Sequence, residues 1–304
     1  MAGPLSPSGG YHSRMLSAGA RIALVAPSGA FDAQRLARGV DMIRSWGFEV
    51  IEGTHLNSRH RYYAGTVEER TADLRWALTS EDVDAVWFAR GGYGTAQTLA
   101  SIPWSELDGR PVVGFSDATA LFSAMTRHGV SGGVHGPVLH SLADLASVQS
   151  QAMLREVLAG ASIEIPGRPL FGPFQAVRGP VVGGNLCVLA SLAGTPWALR
   201  AQGCIVMLED VGEVPYRIDR LLHQLIESGG LDGAVGIGLG TFQGCDAPPS
   251  ADWTLQDVVG DRLASLGVPV VCGLGFGHGA DNASWRVGAL GVLGPDGLTQ
   301  NDVG

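Results

Sequence analysis

Long apolar runs are absent from this 304-residue sequence, although hydrophobic residues make up 45% of it. Gly, Pro or a charged residue interrupts each apolar stretch well before the ~20 residues that a membrane-spanning helix needs. We therefore expect no transmembrane helix and no membrane partner. Residues 1–20 are rich in Gly, Ser and Pro and lack the apolar centre of a secretory signal. We interpret them as a disordered tail and expect a cytoplasmic protein.

Clustered positive charge and paired cysteines are also missing. The net charge is −9 and no run of Lys or Arg occurs, which argues against nucleic acid as a partner and favours a small molecule. The four cysteines form no C-x-x-C pair, so the sequence supports neither a metal site nor a redox centre. We expect no metal and no cofactor, and interpret the cysteines as buried thiols.

The first half of the chain alternates short β-branched runs with helical patterns. RIALVAP, FEVIEG, VDAVWFA and RPVVGF predict strands separated by helices. This rhythm predicts an α/β fold, in which residues 21–158 form an N-terminal parallel-sheet domain with helices on both faces. The Pro- and Gly-rich segment 159–178 predicts a crossover linker. Residues 179–304 predict a smaller mixed α/β C-terminal domain.

Two glycine-containing loops follow strands of the predicted parallel sheet. RGGYG, residues 90–94, comes after AVWFA, and GFSD, residues 114–117, comes after RPVV. Because sites in such sheets lie beyond the carboxyl ends of the strands, both loops should face one cleft. Consecutive glycines let backbone N–H groups approach a phosphate or an oxyanion, but an ordinary tight turn has the same composition.

Ser116 lies where an apolar strand gives way to a helical pattern. A serine in that position is most often an N-cap, whose hydroxyl accepts a hydrogen bond from a helix amide. The alternative is a nucleophile elbow, which exposes the hydroxyl beside a helix N-terminus. The local sequence is G-F-S-D-A rather than G-x-S-x-G. Taken alone, it favours the cap.

A nucleophilic serine needs a base, and the base needs a carboxylate that orients it. Among the eight histidines, His135 and His278 stand out by context, and His278 is flanked by glycines after the apolar run VPVVCGL. Glu209 ends the buried-looking strand CIVMLE, with Asp210 and Glu213 as neighbours. Such carboxylates usually form helix caps or ion pairs. Only the combination with that serine and histidine favours a catalytic role.

Segments spread over residues 21–293 together resemble the LD-carboxypeptidase family, also called muramoyltetrapeptide carboxypeptidases, to which the microcin C self-immunity peptidases are related. The segments that carry the resemblance are IALVAPSG, YYAGTVEERTADL, ARGGYGTAQTL, VGFSDATAL, VHGPV, GPVVGGNLCVLASLAGTP, MLEDVGEVPYRIDRLLHQL and GFGHGADNASWRVG. Their number and order make it specific. The resemblance implies two α/β domains with the site at their junction, and a homodimer.

The resemblance also implies a serine peptidase with a Ser-Glu-His triad. On this sequence the triad maps to Ser116 in GFSD, Glu209 in LEDVGE and His278 in GHG. The RGGYG loop would supply an oxyanion amide near Gly92, and the Asp117 N–H would be the second donor. This wider pattern favours Ser116 as the nucleophile over the cap.

The implied substrate is a murein tetrapeptide, cleaved at the L,D amide bond to its terminal D-alanine during cell-wall recycling. Its free carboxylate needs a cation or a nest of amides. Arg90, beside Gly91 in the RGGYG loop, is a candidate for this, although an ion pair within the fold is an equally good interpretation.

Two alternatives remain open at this point. Microcin-type relatives cleave aminoacyl-nucleotide amides and carry an aromatic-bearing loop that stacks on the base. The corresponding connection here is short and has Trp197 as the sole nearby aromatic, which favours wall recycling and predicts that Trp197 packs within the fold. The second alternative is a non-enzymatic binding protein whose two loops hold a phosphate or a sugar, with Ser116 only a cap.

Overall fold

The structure is a computed structural model that describes residues 14–173 and 175–301. The strands in this part of the chain are β1 (Arg21–Val25), β2 (Glu49–Glu52), β3 (Ala85–Phe88), β4 (Val112–Gly114), β5 (Gly133–His135), β6 (Ile163–Pro166), β7 (Arg168–Phe171), β8 (Val177–Asn185), β9 (Ile205–Val211), β10 (Gly236–Gln243), β11 (Val270–Cys272), β12 (Trp285–Arg286), β13 (Leu290–Gly294) and β14 (Gly297–Gln300).

The α-helices of the same residues connect these strands. They are α1 (Ala33–Ser45), α2 (Val67–Thr79), α3 (Thr119–Arg127), α4 (Leu139–Leu142), α5 (Val148–Leu158), α6 (Leu186–Ser191), α7 (Pro215–Glu227) and α8 (Leu255–Leu263). Local signals fix several of their starts: Thr66 and Glu69 form a capping box before α2, and Pro215 occupies the first turn of α7. Among the described helices, none combines the length and apolar character required to cross a membrane.

The first sheet has the strand order β12-β5-β4-β3-β1-β2. Strands β1 to β5 pair in parallel, and the short β12 adds to β5 in the antiparallel sense. The central strand AVWF of β3 is buried at every position, as expected for a parallel strand covered on both faces. The predicted α/β class is confirmed. The carboxyl ends of β3 and β4 lie side by side and lead into the RGGYG and GFSD loops.

The second sheet has the order β6-β14-β13-β8-β9-β10-β11-β7. Strands β8 to β11 pair in parallel at its centre, while β6, β7, β13 and β14 make antiparallel pairs towards its edges. This is the mixed sheet expected for the second half. The carboxyl ends of β8, β9 and β11 lie at one side and lead into the residues that form the site.

The segment predicted as a linker, 159–178, contains β6 and β7, which form the two edges of the second sheet. The prolines and glycines of this segment are typical of a loop. Proline is nevertheless tolerated in an edge strand, because its missing N–H can lie on the side that has no neighbouring strand. The first sheet in turn receives β12 from the second half of the chain. The second half therefore contributes a strand to the first sheet, and the division into domains at these residues stays a prediction.

Part of the predicted tail belongs to the folded body. Residues 1–13 lie outside the described residues, but in 14–20 the Leu16 side chain is buried and its N–H donates to Leu158 O at 2.8 Å. Arg14 forms an ion pair with Asp108 at 3.0 Å. For residues 14–20 the expectation of a loose tail is therefore wrong, because an apolar anchor and a backbone hydrogen bond fix them to α5.

One of the two hydrophobic clusters among the described residues joins the two sheets. A single cluster of buried side chains contains Val86 and Phe122 from the first half together with Met207, Phe276 and Trp285 from the second. Helix α3 packs against β8 of the second sheet and against α6. The start of α3, which follows the GFSD loop directly, is thereby held against the second half.

Candidate active site

Ser116 occupies a strained turn between β4 and α3. Its φ is 60°, and among the described non-glycine residues only Arg61 also has a positive φ. The N-cap position of the 3-10 turn at 116–118 belongs to Phe115, and that of α3 belongs to Ala118. The capping interpretation is therefore wrong. A left-handed conformation costs a serine about 1–3 kcal/mol and is typical of a nucleophile elbow.

The RGGYG loop lies directly against this turn. A Cβ placed on Gly91 would come within 2.9 Å of Ser116 Cβ and 3.0 Å of Ser116 Oγ, so only glycine allows the approach. The next residue, Gly92, is exposed with a φ of 110°. The loop is tied to the loop after β1 through a hydrogen bond from Gly29 N to Gly91 O at 3.1 Å. The structure thus brings together the two loops that the sequence placed at one cleft.

Glu209 and His278 form a hydrogen-bonded pair in the second half. Glu209 Oε2 lies 2.8 Å from His278 Nδ1; the carboxylate is fully buried, while the imidazole is 19% exposed. Gly277, at φ 119°, makes this contact possible, because a Cβ there would lie 2.7 Å from Glu209 Oε2. With Nδ1 bonded to the carboxylate, Nε2 is the ring nitrogen left to exchange a proton.

Asn185, at the end of β8, orients the carboxylate and was not identified from the sequence. Its Nδ2 donates to Glu209 Oε1 at 3.2 Å and to Asp210 Oδ1 at 3.0 Å, while its Oδ1 accepts from Val188 N. Its backbone N–H donates to Thr119 Oγ1 at 3.0 Å. An asparagine before a helical run signals an N-cap, but its bonds to residues 24 and 25 positions away are a tertiary feature.

Phe115 connects the serine turn to the histidine loop. Its ring centroid lies 4.8 Å from that of His278 in an edge-on arrangement. Because Phe115 is the neighbour of Ser116, this packing brings the end of β4 close to the Glu209–His278 pair. The residue that precedes Ser116 therefore contacts the Glu209–His278 pair directly, and the triad itself stays a prediction.

The neighbouring carboxylates have structural partners. Asp210 accepts from Asn185 Nδ2, Cys187 N and Val211 N, and burial raises the pKa of its carboxyl. Glu213 forms an ion pair with Arg217. For both, the interpretation as caps or ion pairs applies. In the described residues, no group of three or more His, Cys, Asp or Glu side chains could hold a metal ion.

Arg90 and Trp197 lie in different places relative to the serine turn. Arg90 is exposed, and its Nη1 donates to Ala30 O. Trp197 packs against Trp104 and the ring of His128, just beyond the C-terminal end of α3, as predicted for a packing residue. The Trp197 carbonyl accepts from Ser123 Oγ at 2.7 Å, so Trp197 is fixed to the middle of α3 rather than to the serine turn.

His135, the other histidine considered as a base, is enclosed by aromatic rings. It is fully buried, stacks on Trp285 with centroids 5.0 Å apart, and meets Phe115 and Phe276 edge-on. Burial lowers the pKa of its imidazole to about 3, with a smaller contribution from the charge of His278. A base must gain a proton near neutral pH, which this environment opposes.

Profiles of the two LD-carboxypeptidase domains match this chain. The N-terminal domain matches residues 22–136 and the C-terminal domain residues 178–293. With more than half of its length matched, the chain belongs to the LD-carboxypeptidase family, and is thus an enzyme of the peptidase class.

Individual relatives agree with this assignment. A murein tetrapeptide carboxypeptidase of Pseudomonas aeruginosa is 40% identical over 286 residues, which cover 90% of this chain and 92% of that protein. The crystal structure of a muramoyltetrapeptide carboxypeptidase from Oxalobacter formigenes matches with a TM-score of 0.84 at 31% identity, covering 93% of this chain and 99% of that one. An MccF-like protein from Bacillus anthracis reaches 0.85 at 19% identity, covering 96% and 100%; this likeness shows a shared fold.

The strain at Ser116 predicts a stability difference between two inactive variants. Ser116→Gly should be about 1 kcal/mol more stable than Ser116→Ala, because glycine adopts a positive φ without a steric penalty. Urea unfolding of both variants measures the difference. A control pair at Glu156, an exposed position in helix α5, should show the opposite order. Glu156→Gly should be about 1 kcal/mol less stable than Glu156→Ala, because glycine disfavours the helix. Equal stabilities of the two Ser116 variants would contradict the strain.

His135 predicts an acid-dependent loss of stability. The unfolded-state pKa is near 6.5 and the folded-state pKa about 3, so below pH 6.5 the unfolded chain binds a proton that the folded chain does not. As the pH falls from 6.5 to 3, the free energy of unfolding therefore decreases by up to about 1.4 kcal/mol per pH unit. Urea unfolding from pH 7.5 to 4 should show a shallower slope for His135→Phe than for the wild type. Identical slopes would mean that His135 titrates normally.

Proposed function

We propose that this protein is a serine carboxypeptidase that hydrolyses the L,D amide bond to the terminal D-alanine of murein tetrapeptides, in cell-wall recycling. The observation that carries the proposal is the 2.8 Å Glu209–His278 pair, whose imidazole packs on Phe115, the neighbour of a serine in a strained turn. A buried carboxylate bonded to an imidazole, with a strained serine nearby, is the arrangement of a catalytic triad. The related murein tetrapeptide carboxypeptidase supplies the substrate class.

The proposed reaction has two steps. His278 Nε2 takes the Ser116 proton as Oγ attacks the carbonyl carbon of the L-centre, and the resulting imidazolium is stabilised by Glu209. Collapse of the tetrahedral intermediate breaks the C–N bond, and His278 protonates the departing D-alanine nitrogen. Water then attacks the acyl-enzyme while His278 accepts its proton. The tripeptide carboxylate leaves, and the proton returns to Ser116 Oγ.

The oxyanion donors belong to the same proposal. The N–H groups of Gly92 and Asp117 lie in the two loops that meet at Ser116, and Asp117 is in the first turn before α3. Two amides directed at the developing oxyanion would each contribute about 3–4 kcal/mol of transition-state stabilisation. The absence of a side chain at Gly91 allows the RGGYG loop to come this close.

The general base of this site is proposed to be a histidine. The sequence contains 20 arginines and no lysine, so no serine–lysine dyad can form from its own side chains. Among the histidines, His135 is sealed by aromatic rings, whereas His278 has a carboxylate partner and a partly exposed ring. These features support His278 in the role of general base.

The position of Trp197 favours murein peptides over aminoacyl nucleotides. A stacking platform must offer its ring to the nucleobase, whereas the Trp197 ring packs on Trp104 and on His128, the residue that follows α3. A homodimer and a cytoplasmic location complete the proposal. Sedimentation should give twice the 31.6 kDa of one chain; a single-chain mass would contradict the dimer.

The substrate is tested by D-alanine release. Purified protein incubated with L-Ala-D-Glu-diaminopimelate-D-Ala should liberate free D-alanine, whereas Ser116→Ala should lose at least about 10³-fold in kcat, since the nucleophile is gone. Ser123→Ala, which removes a buried serine hydroxyl within α3, serves as a folded control with activity retained. Equal release by wild type and Ser116→Ala would refute the nucleophile. Binding of the peptide without turnover would favour the binding-protein alternative.

Arg90 is proposed to recognise the terminal carboxylate. Its side chain is exposed in the RGGYG loop, and its Nη1 donates to the backbone carbonyl of Ala30. Arg90→Met should raise KM for the tetrapeptide about 10-fold or more, because a charge-assisted hydrogen bond contributes about 1.5–3 kcal/mol. Steady-state kinetics measure this, with the exposed Arg75→Met as control. An unchanged KM would remove Arg90 from the binding site.

A further inference from the structure

The Asp117 carboxylate, buried beside the nucleophile, accepts two hydrogen bonds through one oxygen. Oδ2 accepts from Ser28 Oγ at 2.6 Å and from Thr95 N at 2.8 Å. Asp117 is 2% exposed, and Ser28 and Thr95 are fully buried. The two hydroxyl groups also contact each other, with Ser28 Oγ 2.8 Å from Thr95 Oγ1. The proposed function uses only the backbone N–H of Asp117 and leaves this side-chain network unexplained.

The network joins three loops at the carboxyl edge of the first sheet. Ser28 lies in the loop after β1, Thr95 follows the RGGYG loop after β3, and Asp117 lies in the turn after β4. Strands β1, β3 and β4 are consecutive neighbours in the sheet. One carboxylate oxygen therefore links the nucleophile turn to two loops. One is the RGGYG loop, which carries Gly92, and the other is the loop after β1, which is hydrogen-bonded to Gly91.

A buried cation holds the same loop from the other side. Arg70 of α2 is 2% exposed; its Nη1 donates to Gly94 O at 2.8 Å and to Pro27 O at 2.6 Å, and its guanidinium lies over the Tyr63 ring. The end of the RGGYG loop is thus held at Gly94 by a cation and at Thr95 by an anion. Burial raises the pKa of Asp117, and its hydrogen-bond donors and the charge of Arg70 oppose that rise.

We infer that Asp117 is a positioning residue, whose carboxylate sets the distance between the Gly92 amide and Ser116 Oγ. This inference rests on the proposed function. A carboxylate is costly to bury, and here its acceptor oxygen connects the two elements whose separation defines an oxyanion hole. Misplacement by about 1 Å at a reacting centre costs about 100-fold in rate. The contact therefore acts on the transition state more than on substrate binding.

Three variants at and around Asp117 test the inference. Asp117→Ala removes the acceptor and should lower kcat for D-alanine release about 100-fold with KM changed less than threefold. Asp117→Asn retains an acceptor oxygen and should stay within about fivefold of wild type. Ser28→Ala removes one of the two donors and should lower kcat by about 3- to 10-fold, which keeps the inference testable if Asp117→Ala does not fold.

Asp73 provides the matched control. It is 5% exposed, accepts from His55 N and lies 2.9 Å from His55 Nδ1, in contacts confined to α2 and the segment after β2. Asp73→Ala should lose stability in urea unfolding, as Asp117→Ala does, but keep kcat within about twofold. A merely structural role for Asp117 predicts the same kcat for both variants at matched stability. That result, or a loss confined to KM, would overturn the inference.

A substrate-independent readout separates this inference from the proposed substrate. The rate at which phenylmethanesulfonyl fluoride modifies Ser116, mapped by peptide mass spectrometry, needs the nucleophile and the oxyanion amides but no murein peptide. If wild type is labelled but releases no D-alanine, the substrate proposal fails, and slower labelling of Asp117→Ala still supports the positioning role. Equal labelling of Asp117→Ala and wild type overturns that role. An unlabelled Ser116 in the wild type overturns both.

Discussion

The hydrogen bond between the fully buried Glu209 carboxylate and His278 Nδ1 is the interaction on which the rest of the site depends. A carboxylate without solvent must be satisfied by fixed donors, and the parallel strands at the centre of the second sheet supply them from their carboxyl ends. Asn185 is the last residue of β8, Glu209 lies near the end of β9 and His278 follows β11. The parallel centre of this sheet thus brings distant segments to one point, and the antiparallel strands extend its edges.

The nucleophile comes from the other sheet, so the site depends on how the two halves meet. Phe115 packs on the His278 ring, and Asn185 N donates to Thr119 Oγ1 at the start of α3. A hydrophobic cluster that spans both halves and the addition of β12 to the first sheet hold the two halves together. Close approach is made possible by Gly91 against Ser116 and by Gly277 against Glu209. The strained backbone of Ser116 is retained because the RGGYG loop packs on one side of the turn and the His278 ring packs on Phe115.

Much of this arrangement could be predicted from the sequence, since the parallel sheet has a periodic signature and loops after parallel strands share an edge. The pairing of Glu209 with His278 needed family resemblance, because local sequence gives no distance across 69 residues. The positive φ of Ser116 has no sequence signal in G-F-S-D-A. The prolines and glycines of segment 159–178 predicted a linker, but edge strands tolerate the same residues, so composition does not separate the two. Asn185 looks like a helix cap, which it is, but its contact with Glu209 exists only in the folded chain.

The most direct measurement is a crystal structure with a peptide boronic acid whose boron replaces the scissile carbonyl carbon. The account predicts a bond from boron to Ser116 Oγ, one boronate oxygen within about 3 Å of the Gly92 and Asp117 N–H groups, and His278 Nε2 beside Oγ. A boronate bound without a bond to Ser116, or with its oxygen directed away from the RGGYG loop, would contradict the account.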